Sequence, residues 1–159
     1  MTLTNWNWLL AHDAQDYPWD CSANATAWAL RTTGRDYSEQ DVIAGLGPSR
    51  ITPMYGLMDA SGAGLVEWLG EIGINAENNP SASWDELVAA AGYQPMVIGG
   101  RNWCHWVAVR MGPNPAPERI PNILALMNGA NGYMGVYQTL DPGQFAALGS
   151  FSAVWFESW

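Results

Sequence analysis

Half-way along this chain the apolar residues change their spacing, and any fold has to accommodate both halves. Up to about residue 91 they recur at helical intervals. Ala25, Trp28, Ala29 and Thr32 share one face of a helix that starts at Cys21 and stops at Gly34. Leu65, Val66, Leu69 and Ile72 share the face of another, capped by Ser61 and closed by Gly73. Shorter helices are expected at residues 3–14, at 39–44 behind Ser38 and at 84–91 behind Ser83. Residues 47–56 hold two prolines and no period and read as loop; 74–78 read as a short strand. From residue 95 onward the apolar runs are short and bounded by Gly, Pro and Asn, so strands are expected at 95–100, 104–110, 123–128, 136–139 and 151–156. The last of these alternates enough to be half-buried. A Pro-rich loop at 112–121, a Gly/Asn turn at 129–135 and a helix opening on Asp141-Pro142 interrupt them. Helices first and strands second imply an α+β fold, with an antiparallel sheet packed on the Cys21 helix.

The chain has 159 residues, which suits one domain over 1–159 and is short for two. Its net charge of −9, carried against six arginines and no lysine, leaves no basic patch for phosphates, so nucleic acid is not an expected partner. Lacking lysine, it also lacks any Schiff-base chemistry. Two cysteines are too few for a disulfide framework. No basic region followed by an apolar run opens the sequence, and no apolar run reaches membrane-spanning length. The expectation is a soluble cytoplasmic protein with no membrane insertion, export by another route being left open.

Chemistry concentrates around Cys21. A polar loop containing Pro18 and Asp20 runs into it, and the helix begins there. A thiol at a helix N-terminus sits among unpaired N–H groups at the positive end of the macrodipole, which favours the thiolate. The candidate base is His105, at the start of an apolar strand where alternation points it away from Cys104 and Trp106. Asn128, at the end of the next strand, can orient the imidazole if the two strands pair antiparallel; Asp141 competes for that role but looks like a helix cap. Gln15 and the Cys21 N–H are candidate oxyanion donors. Trp19 and Trp103, each within two residues of a proposed catalytic group, are expected to line a cleft. Cys104 reads as core or as a neighbour of the site, and His12 as a surface or capping residue. No two of the cysteines and histidines have finger-like spacing, so no metal site is expected.

The order Gln15, Asp20-Cys21, a helix, then Gln94-Pro95-Met96-Val97-Ile98, His105-Trp106-Val107-Ala108-Val109 and Leu126-Met127-Asn128-Gly129 resembles the papain-like cysteine peptidases. The branch it looks most like is that of the bacteriocin-leader-processing peptidases and their stand-alone relatives. Ser22 stands where that branch usually has Gly, and Gly129 where Pro is common. The resemblance implies a cofactor-free thiol hydrolase on a peptide or protein substrate: Cys21 the nucleophile, His105 the base, Asn128 the orienter and Gln15 the oxyanion donor. Two other readings stay open. Asp20-Cys21-Ser22 is similar to the signature of cell-wall endopeptidases of the same superfamily, and a papain-like module can bind partners through its tryptophans without catalysis. Asn128-Gly129 can also be a plain turn, and oligomeric state is open.

Overall fold

The computed structural model describes residues 16–91, 94–100, 102, 104–109, 124–127 and 137–159. The helix expected at 3–14, the Pro-rich loop, the Gly/Asn turn, and His12, Gln15, Trp103 and Asn128 lie outside the described residues. What is described is α+β. Helices α1 (Cys21–Thr32), α2 (Glu39–Leu46) and α3 (Ala63–Glu71) precede most of the sheet, with α4 (Trp84–Ala91) and α5 (Pro142–Leu148) between strands. A hairpin pairs β1 (Ile51–Thr52) with β2 (Gly56–Leu57). The main sheet joins β3 (Asn75–Ala82), β4 (Met96–Gly100), β5 (His105–Val109), β6 (Leu124–Met127), β7 (Tyr137–Leu140) and β8 (Phe151–Ser158). Its order is β3-β8-β4-β5-β6-β7, and every pairing is antiparallel.

Strand alternation divides the core between the two faces of this sheet. Val97, Trp106, Ala108, Val154 and Phe156 pack against α1, α2 and α3. Met96, Ile98, Val107, Val109 and Ala153 pack against α4 and α5. Helix α1 is the centre of the first layer. Every residue from Ser22 to Leu30 is buried, so it has no solvent face, where a single apolar stripe was expected. Its alanines at 23, 25, 27 and 29 let sheet and helices approach it from several sides.

Other departures have local causes. The segment expected as loop holds the β1–β2 hairpin, too short to show a period; Tyr55 N–H donates to Thr52 Oγ1 at 3.2 Å across its turn. Helix α2 continues past Gly45 to Leu46; the Trp68 indole lies on Gly45, where a side chain would collide with it, so this glycine serves a close approach rather than a helix end. Gly62, not Ser61, is the N-cap of α3; the Ser61 hydroxyl still accepts the Ala63 N–H at 3.2 Å. β3 extends to Ala82 through Pro80, which an edge strand tolerates at an irregularity. β8 lies between β3 and β4 with both faces covered, and so is buried more fully than alternation implied. The caps at Ser38 and Asp141 are complete capping boxes, so Asp141 is a helix cap rather than a partner for His105. No helix of the described residues is long and apolar enough to cross a membrane.

Candidate active site

The loop before α1 is closed by its own side chain. Asp20 Oδ2 accepts the Tyr17 N–H at 3.0 Å, and the Asp20 N–H donates back to the Tyr17 carbonyl at 3.4 Å. This turn fixes Trp19, whose ring stacks on Tyr17 with centroids 5.8 Å apart, and delivers Cys21 as the first residue of the helix. The turn is held from a second side by the hairpin. Gly56 sits at φ +66°, and a Cβ there would lie 2.8 Å from the Trp19 carbonyl oxygen, so only glycine lets β2 come this close.

His105 is placed by a tight connection from β4. The Cys104 N–H donates to the Gly100 carbonyl at 2.8 Å, and His105 opens β5 opposite Gly100. Cys104 has φ +52°, the one non-glycine residue in the left-handed region among the described residues. It belongs to this turn and not to the strand, so the alternation expected between Cys104 and His105 does not apply. Nor is Cys104 core: it is exposed. His105 has the strand parity of Val107 and Val109, which pack on the face away from α1. That parity is not the one of Cys21's side of the sheet, and His105 borders the cleft from the end of β5.

Cys21 and His105 border the same cleft, of about 660 Å³. Pro18 and Trp19 form one wall, Met54, Tyr55 and Leu57 of the hairpin region another, and Gly99, Gly100, Cys104 and Trp106 complete it. No Asp, Glu or Arg lines it among the described residues. Met54 and Tyr55, which line it, are 77% and 69% exposed, the most exposed large apolar side chains among the described residues. Trp19 lines the cleft as expected. The hairpin wall was missed; Gly56 was its only sequence trace, and a lone glycine does not announce a wall.

The electrostatics correct the expectation of a thiolate poised by the helix terminus. Burial pushes the Cys21 thiol up, the N–H groups of Trp106, Ser22 and Cys21 itself pull it partly back, and the Asp20 charge raises it further. Burial wins because the sulfur is packed against the α1 side of the core. Neither cysteine is disulfide-bonded, and no three His, Cys, Asp or Glu side chains among the described residues are grouped to hold a metal ion.

A feature not foreseen lies directly behind Cys21. Asp20 and Glu39 are fully buried, and their carboxyl groups lie against each other. Burial raises both, Glu39 to about 8. In sequence, Glu39 is only an acidic residue in the first turn of a short helix. No family model matches the sequence, and no curated protein matches it.

Proposed function

We propose that the protein is a thiol hydrolase of papain-like fold that cleaves an amide or peptide bond. The observation that carries the reading is that Cys21, first residue of α1, and His105, first residue of β5, border one cleft. The sulfur attacks the carbonyl carbon as His105 accepts the thiol proton. The tetrahedral intermediate collapses to a thioester as that proton passes to the leaving amine, and water then releases the acid. Because burial holds the resting thiol protonated, proton transfer to His105 accompanies attack rather than preceding it. Gln15 and Asn128 take the oxyanion and orienting roles in this proposal. β6, which Asn128 follows in sequence, runs antiparallel to β5 with Met127 opposite Ala108, and so toward the His105 end.

A cleft lined by no Asp, Glu or Arg among the described residues, and rimmed by Met and Tyr, suits a peptide with an apolar side chain beside the scissile bond. It suits a cell-wall stem peptide, with its free carboxylates and amines, less well.

The two cysteines make a built-in test. Cys104 is exposed, while Cys21 is half-buried with its thiol pushed up, so simple accessibility has Cys104 alkylated first. The expected result with a peptidyl epoxide near pH 6 is the reverse: Cys21 modified in preference, and the preference lost in His105→Ala. Modification of Cys104 first, or of both equally slowly, sinks the enzyme reading and leaves a binding module.

A further inference from the structure

Two acidic side chains carry no role in the chemistry above, yet they are among the most buried polar groups described. Asp20 is 0% and Glu39 1% exposed. They come from the two helix N-termini that meet here, Asp20 as the residue before α1 and Glu39 as the first residue of α2. Three of their four oxygens have donors. Glu39 Oε1 accepts the Asp16 N–H at 3.4 Å, Glu39 Oε2 accepts Asn24 Nδ2 at 3.2 Å, and Asp20 Oδ2 accepts the Tyr17 N–H at 3.0 Å. Asp20 Oδ1 is buried and meets no N–H or O–H among the described residues, and the neighbouring side-chain acid is that of Glu39. A buried carboxylate oxygen without a donor is costly, and two ionised carboxylates in contact more so.

We propose that Asp20 and Glu39 share a single proton, carried by Glu39 and donated to Asp20 Oδ1, and that this proton fastens the loop before Cys21 to α2. The pair are positioning residues. The proton satisfies the orphan oxygen and leaves one negative charge between two helix N-termini, whose positive ends favour it. It also completes a clamp. The first turn of α2 holds Asp16 twice, through its N–H on Glu39 and through Gln40 Nε2 on Asp16 Oδ2 at 3.0 Å. Asp20 in turn closes the Tyr17 turn that sets Trp19 and Cys21. Among the described residues the titratable neighbours are Asp16, whose charge opposes ionisation of Asp20, and Cys21, whose thiol the Asp20 charge raises; Asn24 on α1 and Gln40 on α2 are neutral. Ionisation of Glu39 at about 8 agrees with a proton held at neutral pH. None of this depends on whether Cys21 is a nucleophile.

Carboxyl-resolved ¹³C NMR of the wild-type chain is the first test. One Glu signal is expected to titrate near 8; if every Glu titrates in the ordinary range, near 4, the proposal is overturned. Hydrogen exchange at pH 7 is the second. The Asp16 and Tyr17 amides are expected to be protected in wild type and in Glu39→Gln, whose amide can donate permanently to Asp20, and to lose protection in Glu39→Ala. Unchanged protection of both amides in Glu39→Ala overturns the clamp. Should either variant fail to fold, the wild-type titration still decides.

Discussion

Replacing Gly56 by alanine measures how closely the β1–β2 hairpin is built against the loop before Cys21. Two separate costs are readable at this position. Its φ of +66° is left-handed, which costs an L-residue roughly 1–2 kcal/mol. The new Cβ would also lie 2.8 Å from the Trp19 carbonyl oxygen, well inside the 3.4 Å at which ordinary contact begins. That oxygen belongs to a backbone turn pinned by Asp20, not to a flexible side chain, so the hairpin must move. Overpacking of this kind costs about 1–3 kcal/mol, for a total of about 2–5 kcal/mol. At roughly 2–4 °C per kcal/mol for a chain of this size, the thermal midpoint falls by about 4–20 °C. Gly73→Ala separates the two costs. Gly73 has φ +79°, and nothing lies within 4 Å of where its Cβ would stand, so its variant loses only the left-handed share. The gain from a stiffer unfolded chain is common to both and cancels. Thermal and urea melts of wild type and the two variants give the comparison. A Gly56→Ala loss no greater than that of Gly73→Ala refutes the close approach and, with it, the hairpin as a fixed wall of the cleft.

Three further outcomes are expected. Gly99→Ala sets a Cβ into the Trp106 indole, so the ring must leave its slot; a loss of about 1–3 kcal/mol and an altered near-ultraviolet circular dichroism signal follow. Ser83→Ala removes the hydroxyl that accepts the Glu86 N–H at 3.3 Å, and should cost about 1 kcal/mol in a urea melt, with the m-value unchanged. Glu39 makes stability fall as pH rises. The folded chain keeps this proton up to about 8, and the unfolded chain releases it near the ordinary value of 4.5. Between those limits the folded state binds the extra proton, so its share of stability is whole below 4.5 and declines by about 1.4 kcal/mol per pH unit until it is lost above 8. Denaturant melts from pH 5 to 8 should show this slope in wild type and lose it in Glu39→Gln.

The elements that sequence reading located well are those whose signals are local. Capping boxes at Ser38 and Asp141 and the apolar runs of β4 and β5 depend on residues within a few positions of one another. What it could not supply depends on partners distant in the chain. The end of β3 beyond the strand expected at 74–78, from Asn79 to Ala82, is polar and contains Pro80, and it is strand only because β8 pairs with it. The Trp68 indole decides that residue 45 is glycine, and the Trp19 carbonyl decides that residue 56 is. At the site, Cys21, His105 and Trp19 stood out by residue type and neighbours, and the fold brings them to one cleft. Glu39 did not, because what distinguishes it is complete burial against an aspartate nineteen positions earlier, and an acid in a helix's first turn is ordinarily exposed.

These two lessons meet in the charge state of Cys21. A helix N-terminus stabilises a negative charge, and the expectation was that the thiolate would be that charge. In the fold the residue before Cys21 carries its own carboxylate, Asp20, which makes no cap hydrogen bond to α1 and, under the proposal above, is kept ionised by the proton it shares with Glu39. The sulfur is left with burial, which disfavours its charge, with three N–H groups that pull the other way, and with an anion as its preceding neighbour. Under the proposed chemistry the site therefore rests as a neutral thiol. Its ionisation waits for a substrate carbonyl and an imidazole at the end of β5, and an exposed apolar mouth selects what enters. Removing the Asp20 charge, as in Asp20→Asn, should then lower the Cys21 pKa and raise its alkylation rate at fixed pH. A rate that is unchanged or slower, in a variant with the wild-type circular dichroism spectrum, would show that Asp20 does not set the state of the thiol.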